Sequence, residues 1–514
     1  MKRNLNNISD TLSLHFKVIV TGKKSLKNNK IIALLAFVIA VLGSCSDFLN
    51  EDLKGNFSSD TYYKNDKQAL QAVNGVYNAI SFGNSNNQLW VFGDVASDDA
   101  VKGGNPGDQS EITYIDEFDV NANNGIINNY WGFTYESIAR ANNVIANVPA
   151  VPMDEALKNR IIGEAKFIRA YSYFNLVNIF GRVPLKLLPQ LTQETIHVPL
   201  SEVSAIYQQI ETDLTDASAV LPVSYTSADI GRITRGAALA MLGKVNLYQE
   251  KWSAAIGYFQ QVEALGIYSL LPNYADNFKL ANENSTESIF EIQHLTNQNP
   301  FTGNLMNQWF APAAEGGYYF NAPTQVLVDA FEKSVSDDVD PRLDASIGRD
   351  GQPWLNGEIF SATWSPSGFL TKKHQQPLSE ISSSLKGDGD LNYIYMRYAD
   401  LLLMKAEAFN EDNKADSAKS NLNKVRQRAL ASFDGTPPAD LLVDITTVDK
   451  NLLRTAIQKE RRVELAQEFH RYFDLMRWGK AYAEAALGPD FNYENNRYFP
   501  IPQAELDANN ALNP

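Results

Sequence analysis

The feature that most limits the fold is a pair of amphipathic blocks between Gly231 and Gly266. In the first, Leu239, Leu242, Val245 and Tyr248 recur every three residues, and Ala238 and Met241 widen the same face. That spacing belongs to a helix with one apolar side. Gly236, Ala237, Ala240 and Gly243 are small enough for a second helix to approach closely. After a polar break at Gln249-Glu250-Lys251, the second block carries Trp252, Ala255, Ile256, Phe259 and Val262. The two blocks predict a helical hairpin in which Gly243 faces Ala255. One hairpin cannot bury its own apolar face, so neighbouring hairpins are required.

The chain supplies them. Arg397–Asn410 is followed by Ala415–Leu430, with Ala418, Leu422 and Val425 at the same offsets. Ile161–Ile179 pairs with Ser201–Leu221, where Ser201 is the expected N-cap and Glu202 lies in the first turn. Gly181 and Pro184 stop the first of these helices. Lys67–Ile80 and Tyr130–Val148 pair less regularly. The shared spacing resembles a tetratricopeptide repeat of about 34 residues, with Asn246 departing where that repeat usually has an aromatic. The expected fold is mainly α: a tetratricopeptide-type superhelix with a loop-rich irregular segment containing a few short strands.

That segment lies between Leu271 and Asn392, where the helical period breaks down. Glu287–Gln293 alternates and reads as a strand. The rest is rich in Gly, Pro, Asn and Ser, with isolated large aromatics. A loop-rich stretch of this length is more often functional than connective. The expected organisation is a lipoprotein signal peptide (1–44), a lipid-anchored tether (45–65), an N-terminal helical-repeat part (66–270), a loop-rich ligand-facing segment (271–392) and a C-terminal helical-repeat part with an extended tail (393–514). Residues 45–514 are expected to form one compact unit.

The N-terminus is basic and then apolar over Ile31–Leu42, too short a run to span a bilayer as a folded helix. Leu42-Gly43-Ser44-Cys45 has the form of a bacterial lipoprotein processing site. Cys45 is the only cysteine, so no disulfide can form within the chain. Acylation of Cys45 would anchor the protein stably, since two or three acyl chains suffice where one is marginal. Seven of the 45 Lys and Arg and one of the 60 Asp and Glu lie in residues 1–44. From Cys45 on, 38 basic and 59 acidic side chains remain, a net charge of −21. This argues against nucleic acid and against charge-driven binding to anionic lipid, leaving the lipid anchor as the membrane contact. Asp47, Glu51 and Asp52 after the cysteine fit a surface-export signal or a solvated tether.

No catalytic constellation is visible. The four histidines after Cys45 (His197, His294, His374 and His470) lack metal-ligand spacing, and no nucleophile elbow, phosphate-cradling loop or cofactor motif appears. Asp94, Asp98 and Asp99 in the Asn-rich stretch Gly83–Asp99 are hard oxygen ligands suited to calcium. The stretch lacks an Asp-x-Asp-x-Asp-Gly loop, and a solvated or capping role is expected. In Ala456–Gly479 charges recur three or four apart, as ion pairs along one helix face do. Arg497–Asp507 is Pro-stiffened and reads as extended.

The aromatics are the useful binding side chains, because a flat apolar ring with a polar handle suits a sugar ring. Trp131, Trp252 and Trp478 occupy helical positions and are expected in the core. Trp90, Trp309, Trp354 and Trp364 lie in polar loops and, with Tyr318 and Tyr319, are the ligand-binding candidates; for each, local loop packing is the competing reading. Trp90, Trp309 and the Tyr318-Tyr319 pair are preferred.

Together these stretches resemble the SusD/RagB family of outer-membrane nutrient-binding lipoproteins. Glu460–Gly479, Arg497–Asp507, Arg397–Ala408, Glu164–Pro184, Asp340-Pro341-Arg342-Leu343 and Cys45 carry the likeness. The resemblance implies a non-catalytic, surface-facing outer-membrane lipoprotein. It would capture oligo- or polysaccharide and deliver it to a SusC-like TonB-dependent transporter. It places the ligand site on a face made by an early loop and the irregular segment. A peptide- or glycoprotein-binding member of the same family, a tetratricopeptide adaptor and an (α/α) barrel glycosidase are the alternatives. The last needs two carboxylates about 5 to 10 Å apart.

Overall fold

The expected hairpins are present in the computed structural model, which describes residues 62–189, 195–355, 357–381 and 387–512. The signal segment, Cys45 and all but the last residues of the tether lie outside them. Helices α1 (Asp66–Asn78), α2 (Gly125–Asn147), α3 (Glu155–Phe180), α4 (Val203–Val220), α5 (Arg235–Tyr248) and α6 (Trp252–Ala264) each pack on the next. The stack continues through α7 (Tyr398–Glu411), α8 (Ala415–Ala431) and α9 (Lys450–Glu464). Because α6 packs directly on α7, the irregular segment is looped out between two neighbouring helices of one tetratricopeptide-like stack.

Local chemistry sets the helix ends. The Asp154 carboxylate accepts from the Leu157 N–H at 2.9 Å at the start of α3, and Gly181 closes that helix at φ +70°. Thr234 caps α5 through the Ala237 N–H, and Asp449 caps α9 through Asn451 and Leu452. Helix α4 starts later than its sequence indicates. Ser201 is not its N-cap, because the Ser201 N–H donates to Val183 beside the Pro184–Leu200 bridge; Glu202 occupies the cap without a side-chain bond. Within the α5–α6 hairpin, Gly243 faces the ring of Phe259 rather than Ala255. A Cβ on Gly243 would lie 2.3 Å from that ring.

The single helix expected over Glu460–Gly479 is two: α9 ends at Glu464, and α10 (Arg471–Trp478) begins after a break. Gln467 and Phe469 adopt φ of +62° and +66° in that break. Its charges are not a solvated face. Glu464 is fully buried and accepts from Arg342, Arg397 and Arg428. Glu468 accepts from Arg397 at 2.8 Å and Lys373 at 2.7 Å, and Glu460 from Arg342 and Arg426. Arg461 bridges Asp400 and Asp474. Since Arg342 and Lys373 come from the irregular segment, Arg397 from the residue just before α7 and Arg428 from α8, these pairs fasten the segment to the stack. Leaving any one member unpaired would cost far more than the pair contributes.

Six short strands lie among the described residues: β1 (Ala100–Gly103), β2 (Ser288–Ile292), β3 (Phe320–Pro323), β4 (Ile347–Gly348), β5 (Leu370–Thr371) and β6 (Tyr393–Arg397). They form three antiparallel pairs, β1–β3, β2–β6 and β4–β5. β6 runs straight into α7, so the β2–β6 pair seats the segment on the stack. The main apolar core runs from Ala69 to Phe499. The tail joins it, with the Phe499 N–H on the Ile179 carbonyl, but Gln503–Ala508 turns helical instead of staying extended.

Candidate functional site

The sequence between α1 and β1 and the segment around β3 are far apart in the chain but share one wall. β1 and β3 bring them together in the register Ala100–Pro323, Val101–Ala322 and Gly103–Phe320. Gly103 sits at φ +70°, and a Cβ there would lie 2.2 Å from the Tyr319 carbonyl oxygen; only glycine allows this approach. On the other side of Trp90, the turn Val91–Val95 lies against the α9–α10 break. The Asp94 carboxylate accepts from the Phe469 N–H at 3.0 Å and the Asn321 amide at 3.2 Å. Burial nevertheless pushes the Asp94 carboxyl well above its ordinary range. Asp98 and Asp99 are held by Arg462 and Arg471, with Asp98 2.7 Å from Arg471. These acids are therefore not a solvated cluster; paired with arginines or bonded to the Phe469 N–H, they pin the early loop to the break.

Trp309 rides on the short helix Met306–Phe310, whose following turn folds back so that the Tyr318 N–H donates to the Gln308 carbonyl at 2.9 Å. Trp90, Trp309, Tyr318 and Phe320 thereby line one cavity of about 420 Å³, within the usual range of ligand pockets, about 300–1,000 Å³. The Trp90 ring lies 6.1 Å from Trp309 and 6.1 Å, nearly parallel, from Phe320; Tyr318 is 6.0 Å from Phe320. Trp90 is only 1% exposed and forms the floor, Trp309 is half-buried, and Tyr318 is 47% exposed at the mouth. Around the rings stand Asn86, Gln88, Gln109 and Asn129, with the carboxylates of Asp108 and Glu111. Rigid rings ringed by amides can stack on an apolar face and hydrogen-bond at its edges.

The remaining candidates lie elsewhere. Trp354 and Trp364 pack edge-on at 6.2 Å in a small core with Phe360 and Leu370. Trp354 is 4% exposed and donates to Glu315 at 2.9 Å. Tyr319 turns toward that core and donates to Asn105 at 2.6 Å. Sequence reading missed Phe320 and the polar wall made by Asp108, Gln109 and Glu111; the preceding turn Gly103-Gly104-Asn105-Pro106-Gly107 was the available signal. Trp131 is buried in the main core as expected, whereas Trp252 and Trp478 are half-buried.

A second depression, of about 230 Å³, lies between Tyr225, Arg232 and Tyr268. Its polar groups are already engaged: Arg232 by Glu164 and Asp229, Tyr225 by the Ile233 carbonyl, Tyr268 by Thr234. Burial lowers His294 and His374 to about 4 and His470 to about 3, so all three are neutral near pH 7.

The fold and cavity define a class: a helical-repeat stack carrying an aromatic-lined pocket on its looped-out segment. The chain belongs to the SusD/RagB family. The SusD family model matches residues 286–487, and a second, described as starch-binding associating with outer membrane, matches residues 47–247. The chain is similar to a solved laminarin-binding SusD-like protein, at 30% identity and TM-score 0.73, covering 87% of this chain and 98% of that one. SusD-like protein P25 of Formosa agariphila is 26% identical, over 94% of this chain and 97% of the relative. Surface glycan-binding protein A from Bacteroides thetaiotaomicron, solved in complex with laminarihexaose, shares the fold at TM-score 0.71 and 22% identity, covering 87% of this chain and 98% of that one.

Proposed function

We propose that this chain is a non-catalytic, lipid-anchored glycan-binding protein of the outer-membrane surface. It captures oligo- or polysaccharide and passes it to a SusC-like TonB-dependent transporter. The observation that carries the reading is the cavity in which Trp309 and Tyr318 are open to solvent over a floor of Trp90 and Phe320. A sugar ring laid on Trp309 would meet amide donors and acceptors at its rim. The laminarin-binding relative supports a glycan as the ligand class. Trp354 and Trp364 take a packing role in this reading.

Affinity gels and calorimetry against a panel of polysaccharides and peptides test it, with reducing-sugar release as the check on catalysis. Retention by a glycan without sugar release is the expected result. Binding to peptides alone would change the ligand class, and turnover of a polysaccharide would sink the non-catalytic reading. Co-purification with the transporter from native outer membranes tests delivery.

A further inference from the structure

The cavity beside Trp309 is built without a cation. Among the described residues that line it there is no Lys, Arg or His, while Asp108 and Glu111 both do. Their carboxylates are held by neutral amides: Asp108 accepts from the Asn105 side chain at 3.2 Å and Glu111 from the Gly125 N–H at 2.8 Å. The Lys102 ammonium behind the 105–108 turn is buried and donates to the carbonyls of Asn105 and Asp108, at 3.1 and 2.7 Å. It offers nothing to a ligand in the cavity.

We infer that this cavity selects uncharged glycans and rejects those bearing carboxylate or sulfate groups, an inference that rests on the cavity being the glycan site. A uronic acid or sulfate ester would bring an anion into a partly desolvated pocket that already holds two, with no positive charge to meet it. The net charge of −21 beyond residue 44 repels a polyanion at longer range as well.

The test uses the full mature chain. Calorimetry and affinity gels are run with laminarin, starch, xylan and mannan, with alginate and a sulfated galactan, and with the carboxymethylated form of whichever neutral polymer binds. The carboxymethylated polymer should bind about tenfold more weakly than its parent at low salt. The gap should narrow as salt screens the charges. Asp108→Lys, at an exposed position, should bring the carboxymethylated polymer to within about threefold of its neutral parent when both are measured on the variant; an unchanged ratio of about tenfold would count against the charge selection. Equal or tighter binding of alginate, the sulfated galactan or the carboxymethylated polymer would overturn the charge selection and leave glycan binding standing. Binding of no glycan at all would sink both.

Discussion

Trp90 and Trp309 are 6.1 Å apart but should respond differently to truncation. Trp309 is half-buried at the cavity wall, so Trp309→Ala should weaken glycan binding by about 2 kcal/mol with the melting temperature nearly unchanged. Trp90 is the cavity floor and also packs edge-on against Phe310 at 5.4 Å. Trp90→Ala would open a void and cost about 3–5 kcal/mol of stability; an unaltered melt for that variant would contradict its place as floor. This difference was not legible in the sequence. Both residues stand in polar stretches, and only the β1–β3 pairing reveals that Phe320 joins Trp90 in the floor. A carboxyl gives a second residue-level expectation. Burial, with Glu291 and Asp390 nearby, raises Glu283 to about 8 despite the Asn392 N–H that it accepts. A carboxyl raised in the fold leaves stability untouched below its ordinary value of 4.5, withdraws it as pH climbs toward about 8, and no further above. Glu283→Gln should therefore melt like the parent at pH 4 and above it at pH 8 to 9. A constant difference across that range would show that the carboxyl is not the cause.

The α5–α6 hairpin holds a matched pair of glycines. Gly243 would place a Cβ 2.3 Å from the Phe259 ring, whereas a Cβ on Gly257 meets nothing within 4 Å. Gly243→Leu should destabilise by about 1–3 kcal/mol through overpacking. Gly257→Ala, in the interior of a helix, should stabilise by about 0.5–1 kcal/mol. Chemical denaturation of both variants measures the two signs, and the same sign for both would refute this packing. The hairpin itself was readable because its apolar spacing is local. Its contact partner was not: periodicity fixes which face is buried but not which residue of the opposite helix fills it. The α9–α10 break shows the same limit more sharply. Charges three or four apart look alike whether they pair along one helix or reach Arg342, Asp400 and Asp98 from elsewhere in the chain. The Asp94 bond to the Phe469 N–H, which helps hold the break, comes from a residue 375 positions away.

At the scale of the molecule, two features set how the protein works as a unit. One is the anchor proposed at Cys45: Cys45→Ala should release the protein from membranes, and persistence of the variant in the washed membrane fraction would count against lipidation as the attachment. The other is the buried ion network that fastens the irregular segment to the stack. Burial opposes ionisation of Glu464 and Glu468, yet the surrounding cations prevail. Arg428, Arg397 and Arg342 hold Glu464 well below the usual carboxylate range, and Arg397 with Lys373 holds Glu468 down to about 2. Groups depressed in this way lend stability that is fully present above the ordinary value of 4.5 and is lost as pH falls toward about 2. Acid should therefore unfold the segment and stack together, because the same carboxylates hold both. Glu464→Gln leaves three arginines facing a neutral amide and should cost about 3–5 kcal/mol at pH 7, the penalty of breaking a buried pair by removing one partner. Its stability should also fall less steeply than the parent's between pH 4.5 and 2, since one linked proton is gone. Denaturant titrations at several pH values, followed by tryptophan fluorescence for the cavity and circular dichroism for the helices, read both effects. Two separate transitions at acid pH would mean that the network does not couple the irregular segment to the repeats.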